Sequence, residues 1–181
     1  MTSRASTHSV NADLTPRDLE SLYLELLNSY YEEGDRKRAG KVAVRLEAAL
    51  EASTEYSLSI RGEEVRSIIA ELHNDLPRAI QSREAEIRKI LELRDKARDT
   101  PGWDYVSRRY DSSDVSDRLD LLAILYDKQG ELDRAIAILV ESKEYCLSHQ
   151  ISFDSQDLLD ELEIARQSGK TRKHALKRGR A

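Results

Sequence analysis

The chain has little of what a sheet protein, a disulfide-linked protein or a membrane protein needs. Its 181 residues include only 7 Gly, 3 Pro, 1 Trp, 1 Phe and 1 Cys. So few turn-forming and large aromatic residues argue against a β-sheet fold. A single cysteine excludes an internal disulfide and fits a reducing compartment. Because no apolar run is long enough for a membrane span or a signal peptide, we expect a cytoplasmic protein that does not enter membranes.

Charge and helix-forming residues are abundant instead. Charged residues make up 35% of the chain, and its formal net charge is -5. The last stretch carries six bases and no acid: Lys170, Arg172, Lys173, Lys177, Arg178 and Arg180. The remainder is therefore more acidic than the whole, which repels nucleic acid and attracts basic partners. Only the basic tail is suited to nucleic acid.

Apolar residues recur at helical spacing in stretches that end at turn signals. Thr15, Pro16 and Asp18 predict a helix start, and Gly34, Asn74 and Gly130 predict turns. We expect an all-α domain at 15–167 that contains three antiparallel helical hairpins and a C-terminal capping helix. The predicted segments are a disordered leader at 1–14, hairpins at about 16–52, 57–94 and 114–148, a loop at 95–113, the capping helix at 155–167 and a basic disordered tail at 168–181.

Two of the hairpins carry a similar series of bulky, small and glycine positions. The third has Leu119, Leu122, Ala123, Tyr126, Gly130 and Ala135, and the first has Tyr23, Leu26, Leu27, Tyr30, Gly34 and Ala39. This series resembles the tetratricopeptide repeat over about residues 17–148. In that repeat small side chains let paired helices approach, and glycine supplies a left-handed turn. The second hairpin is degenerate, with Asn74 at the glycine position and Ala70 at the tyrosine position.

The resemblance implies a TPR-like superhelical array whose first helices line a concave groove. On this sequence the groove would be lined by Leu24, Asn28, Tyr31, Arg61, Glu64, Val65, Ile68, Asp120, Leu121, Ile124 and Asp127. Such an acidic and apolar surface suits a basic or amphipathic peptide segment. We therefore expect a non-catalytic adaptor or scaffold with a protein or peptide partner. Of the family's carboxylate-clamp positions only Asn28 matches, which argues against binding of chaperone C-termini.

Charged residues occupy the helix-facing positions of the second hairpin. They are Glu63, Arg66, Arg83 and Glu86. An unpaired buried charge is costly, so these groups either form a polar recognition site or, with the register shifted by one residue, are surface ion pairs. The loop with Trp103 and Tyr105 likewise has two interpretations, a binding hot spot or packing between unequal hairpins.

No pattern of catalytic residues emerges. Ser168-Gly169-Lys170-Thr171 is like the end of a phosphate loop, but Ile164 stands where the motif needs glycine and no strand precedes it. The histidines are scattered, and Cys146 has only His149 nearby. We expect no enzyme activity, cofactor or metal. Two alternatives remain open: a small-ligand sensor that uses the Arg/Glu cluster of the second hairpin with Trp103 and Tyr105 as a lid, and a structural homodimer formed through exposed apolar faces.

Overall fold

The computed structural model describes residues 15–51 and 56–168, and this part of the chain is all-helical, without strands. The predicted leader and all but the first residue of the predicted tail lie outside the described residues. The helices are α1 (Pro16–Leu27), α2 (Arg36–Glu51), α3 (Tyr56–Leu72), α4 (Leu76–Ala97), α5 (Trp103–Arg109), α6 (Ser112–Gln129), α7 (Leu132–His149) and α8 (Gln156–Ser168). Among them, none is both long and apolar enough to cross a bilayer.

Local capping and turn chemistry sets the helix ends. The Thr15 hydroxyl accepts from the Asp18 backbone N–H at 3.3 Å, and the Asp18 carboxylate accepts from the Thr15 N–H at 2.9 Å. This reciprocal pair satisfies donors that a helix start leaves open, as predicted. The three predicted turns have left-handed backbone, with φ of 67° at Gly34, 58° at Asn74 and 86° at Gly130. The turn positions expected from the sequence are confirmed.

Helices that follow each other along the chain pack side by side. α1 packs on α2, α3 on α4 and α6 on α7, while α2 also contacts α3, α4 contacts α6 and α7 contacts α8. One apolar cluster lies between α1, α2 and α3, around Leu26 and Leu46. A second lies between α3, α4, α6, α7 and α8, around Ile90 and Leu139. α3 contributes to both clusters, so it joins the two halves of the core.

The irregular loop expected at 95–113 is largely helical. α4 continues to Ala97, which is buried, and α5 then fills residues 103–109 before α6 begins at Ser112. Val106 and Tyr110 give this segment a buried apolar side, at 6% and 4% exposure. The prediction was wrong because this short segment buries only these two apolar residues, one in α5 and one just after it, and two residues do not establish a period.

Candidate functional site

A groove lies between α6 and the first part of the chain, which consists of α1 and the helical turn that follows it. It encloses about 600 Å³ and is lined by Leu24, Leu27, Asn28, Tyr31, Glu32, Asp117, Asp120, Leu121 and Ile124. We call it the central groove. Its lining is apolar and acidic, with three carboxylates and no basic side chain. This is the mixture expected from the sequence, although Leu27, Glu32 and Asp117 were absent from the predicted set.

Two further cavities adjoin the central groove, because all three are lined by both Tyr31 and Leu121. One, of about 560 Å³, is lined by Arg61, Arg108, Arg109 and Arg118 among others, and we call it the arginine end. The other, of about 370 Å³, lies beside the turn at Gly34. The site therefore changes in charge along its length, from an arginine-rich cavity to an acidic and apolar one.

A π-helical turn, Asn28–Glu32, continues α1 and supplies one wall of the central groove. The Glu33 N–H donates to the Asn28 carbonyl at 2.9 Å, which gives the wider spacing of a π-turn. The buried Ser29 hydroxyl donates to the Glu25 carbonyl at 2.8 Å, whereas Asn28, Tyr31 and Glu32 line the groove. Single π-turns are frequent at functional sites. The sequence carries no recognised signal for one.

The predicted groove residues divide into four groups. Leu24, Asn28, Tyr31, Asp120, Leu121 and Ile124 line the central groove, whereas Arg61 and Glu64 line the arginine end. Val65 and Ile68 were wrongly assigned to the surface, since both are at 0% exposure in the core between α1, α2 and α3. Two helices pack on α3, which leaves it little free surface. Asp127 lines none of the three adjoining cavities.

Two of the predicted groove acids are already engaged by the protein itself. Asp120 accepts hydrogen bonds from Ser142 Oγ at 2.8 Å and from the Ser155 hydroxyl, so it ties α6 to α7 and to the start of α8. Glu64 accepts from the Tyr23 hydroxyl and is 6% exposed. Asp117 is exposed and has no hydrogen bond or ion pair within the part that the structure describes. Asp117 is therefore the groove acid best placed to meet a ligand.

Burial and neighbouring negative charges raise the pKa of acids in this groove. Partial burial raises the pKa of Asp117, and the nearby carboxylates of Asp120 and Asp114 raise it further. Burial also raises the pKa of Asp120. Because the pKa is higher in the folded chain than in the unfolded chain, ionisation of these carboxylates lowers the free energy of unfolding. A cation bound in the groove would offset this effect.

The charged residues of the second predicted hairpin form a buried network. Arg83 Nη1 donates to Glu86 Oε2 at 2.6 Å and lies 3.7 Å from Glu64 Oε1. Arg118 Nε, from α6, donates to Glu86 Oε1 at 2.5 Å. Arg83 Nη2 donates to Tyr31 Oη at 3.1 Å. The network links the π-turn, α3, α4 and α6 behind the groove wall.

The structure decides between the two interpretations of these charges. Arg83 and Glu86 are both at 0% exposure, so the surface ion-pair interpretation is wrong for them. It fits Glu63 and Arg66, whose half-buried side chains pair at 3.0 Å. Burial raises the pKa of Glu86, while its two guanidinium partners oppose that shift. Arg83 and Glu86 line none of the three cavities, and the partners of their charges are internal.

Trp103 stacks with an arginine and does not line the groove. Its ring faces the Arg94 guanidinium, 5.5 Å from the ring centroid, and it stands at the start of α5, which packs on α4. Tyr105 belongs to the same helix, and its side chain lies outside the described part. Trp103 lines none of the three adjoining cavities.

Comparison with known proteins adds no relative to this picture. No family model, curated protein or solved structure matches the chain. Within residues 15–51 and 56–168, no group of His, Cys, Asp and Glu side chains is arranged to hold a metal ion.

Proposed function

We propose that this protein is a TPR-like adaptor whose central groove holds a basic, amphipathic peptide segment of a partner. The observation that carries the proposal is the lining of the groove: Glu32, Asp117 and Asp120 stand among Leu24, Leu27, Leu121 and Ile124 without a basic residue. Lysine or arginine side chains of a segment would meet the carboxylates, and its apolar side chains would cover the leucines.

Two further features support a binding role. Leu24 is 56% exposed at the groove, and an apolar side chain in such a position gains stability when a partner covers it. The left-handed turns at Gly34, Asn74 and Gly130 and the packing of consecutive helices agree with a TPR-like array of helix pairs. In such arrays the first helix of each pair faces the groove, and here α1 with its π-turn and α6 do so.

A displayed library of short random peptides, selected on the full chain at low salt, tests the proposal. We expect the selected peptides to combine basic and apolar residues, and their affinity to fall as salt is raised. Asp117→Lys and Leu24→Ser should each weaken binding by about tenfold, since each removes one kind of contact and about 1.4 kcal/mol corresponds to that factor. Fluorescence anisotropy of the labelled peptides gives these affinities.

Matched controls separate the groove from the general surface. Glu144→Lys makes the same charge reversal on the exposed side of α7, and Leu147→Ser removes a leucine that is 70% exposed there. Both controls should bind like the unaltered protein. Selected peptides that bind the groove variants as tightly as the controls would contradict the proposal. Asp120 and Glu64 are unsuitable for this test, because reversing either charge breaks contacts inside the fold.

A further inference from the structure

At the arginine end, two guanidinium groups converge on one carboxylate oxygen. Arg61 Nη1, from α3, donates to Glu20 Oε2 at 2.5 Å, and Arg109 Nη2, from α5, lies 3.7 Å from the same oxygen. Glu20 belongs to α1. The three side chains thus come from three helices. The Glu20 carboxylate occupies a position between two arginines that suits an anion.

The two partners in the Arg61–Glu20 pair differ in exposure. The Arg61 side chain is 9% exposed, and its guanidinium lies over the Tyr23 ring, 4.5 Å from the centroid. The Glu20 side chain is 45% exposed, and the two arginines are its partners within the described chain. Because solvent reaches the Glu20 carboxylate while Arg61 is buried, another carboxylate can replace Glu20 without leaving the Arg61 guanidinium unpaired.

Arg108 is available to pair with a further acid at the arginine end. Arg108 lines the same cavity, donates through Nε to the Asp104 carbonyl at 2.9 Å, and has no carboxylate partner among the residues described. Arg108 therefore adds a positive charge to this cavity that no carboxylate of the described residues pairs with. Of the acids that line the cavity, Asp114 is held by Arg118 at 3.2 Å, Glu64 is hydrogen-bonded to Tyr23, and Asp117 also lines the central groove.

We propose that an acidic side chain of the bound segment takes the place of the Glu20 carboxylate between Arg61 and Arg109, with Arg108 as a third cation. This inference rests on the proposed peptide binding and extends it. Since the arginine end and the central groove share Leu27, Tyr31, Asp117 and Leu121, one segment spans both. The acid at one end and the basic and apolar residues at the other then fix the direction in which the segment lies.

The peptides selected on the full chain provide the test. They should contain an acidic residue at a constant offset from their basic residues, and replacing that acid by its amide should weaken binding by about tenfold. Arg108→Gln combined with Arg109→Gln should weaken binding of the acidic peptide and narrow the difference in affinity between the acid and amide forms, because Arg61 alone then pairs with the acid. Glu20→Gln should tighten binding of the acidic form, because it removes the internal competitor.

The control Arg134→Gln, on the exposed side of α7, should leave the difference between acid and amide peptides unchanged. Circular dichroism of each variant verifies that the helices are intact. Selected peptides that carry no acid, or an amide form that binds as well as the acid, would overturn the inference while leaving peptide binding in place. An unchanged or lower affinity for Glu20→Gln would also overturn it. If the proposed function itself were wrong, the result would differ: the peptides would bind Asp117→Lys and Leu24→Ser as tightly as they bind the unaltered protein.

Discussion

At the scale of single residues, the most consequential group is the Arg83 guanidinium. It is fully buried, and it contacts Glu86, Glu64 and Tyr31 from three parts of the chain. Burial alone would lower the pKa of Arg83, but the charge of Glu86 and its other neighbours more than offset that. A buried ion pair adds little net stability over an apolar substitute, yet breaking it leaves a charge without compensation.

Arg83→Met tests this asymmetry. It should lower the free energy of unfolding by about 3–5 kcal/mol, because Glu86 and Glu64 would then remain buried with one cation fewer. Urea unfolding followed by circular dichroism measures the change. Arg134→Met, which removes an exposed pair with Glu131, should stay within about 0.5 kcal/mol of the unaltered protein. Equal effects of the two substitutions would show that the network contributes nothing specific.

The sequence pattern indicated part of this network. The helix-facing register drew attention to Arg83 and Glu86, because charges there conflict with apolar packing. It did not identify Arg118 or Tyr31 as their partners. Those contacts join residues 32 and 52 positions apart, and no local pattern encodes which distant side chain will meet a buried charge.

At the scale of elements, the helix ends follow from local chemistry. Gly34, Asn74 and Gly130 adopt left-handed backbone, which glycine takes without strain and asparagine tolerates better than most residues. This preference belongs to the residue itself, so the turns could be located without any knowledge of packing. α5 and the π-turn could not, because burial of Val106 and Tyr110 and the wide helical turn at Asn28–Glu32 arise only when neighbouring helices are in place.

A pair of glycine substitutions tests the turn argument. Gly130→Ala should lower the free energy of unfolding by about 1–2 kcal/mol, since φ is 86° there and a Cβ is strained in that conformation although nothing lies within 4 Å. Gly40→Ala, inside α2, should raise it by about 0.5–1 kcal/mol, because the new Cβ meets only Leu72 Cδ1 at 3.9 Å and alanine favours helix. Thermal or urea unfolding gives both values. Changes of the same sign would contradict the argument.

At the scale of the whole molecule, α3 and the buried charges join the two apolar clusters. Ile60 and Ala70 of α3 belong to one cluster, while Val65 and Ile68 belong to the other. The network that contains Arg83 also crosses from α1 and its π-turn to α6. Neither half can lose its packing without disturbing this shared helix, so we expect the molecule to unfold as one unit.

Trp103 provides a test of this coupling. Its fluorescence reports on α5 and its packing against α4, whereas far-ultraviolet circular dichroism reports on all helices. The two signals should give the same urea midpoint, as cooperative unfolding requires. A fluorescence transition at distinctly lower urea would show that α5 opens independently, and the arginine end, to which α5 contributes Arg108 and Arg109, would then be a mobile part of the site.

The sequence by itself determined the helical class, the capped start of α1 and the positions of three turns, because residue preference and apolar spacing act locally. It also indicated the acidic and apolar character of the groove through Leu24, Asp120 and Leu121. Only the tertiary structure decided that Val65 and Ile68 are core, that Glu64 and Asp120 are engaged internally, and that Arg61 and Arg109 meet at Glu20. These outcomes depend on which helices pack together, and packing is a property of distant parts of the chain acting at once.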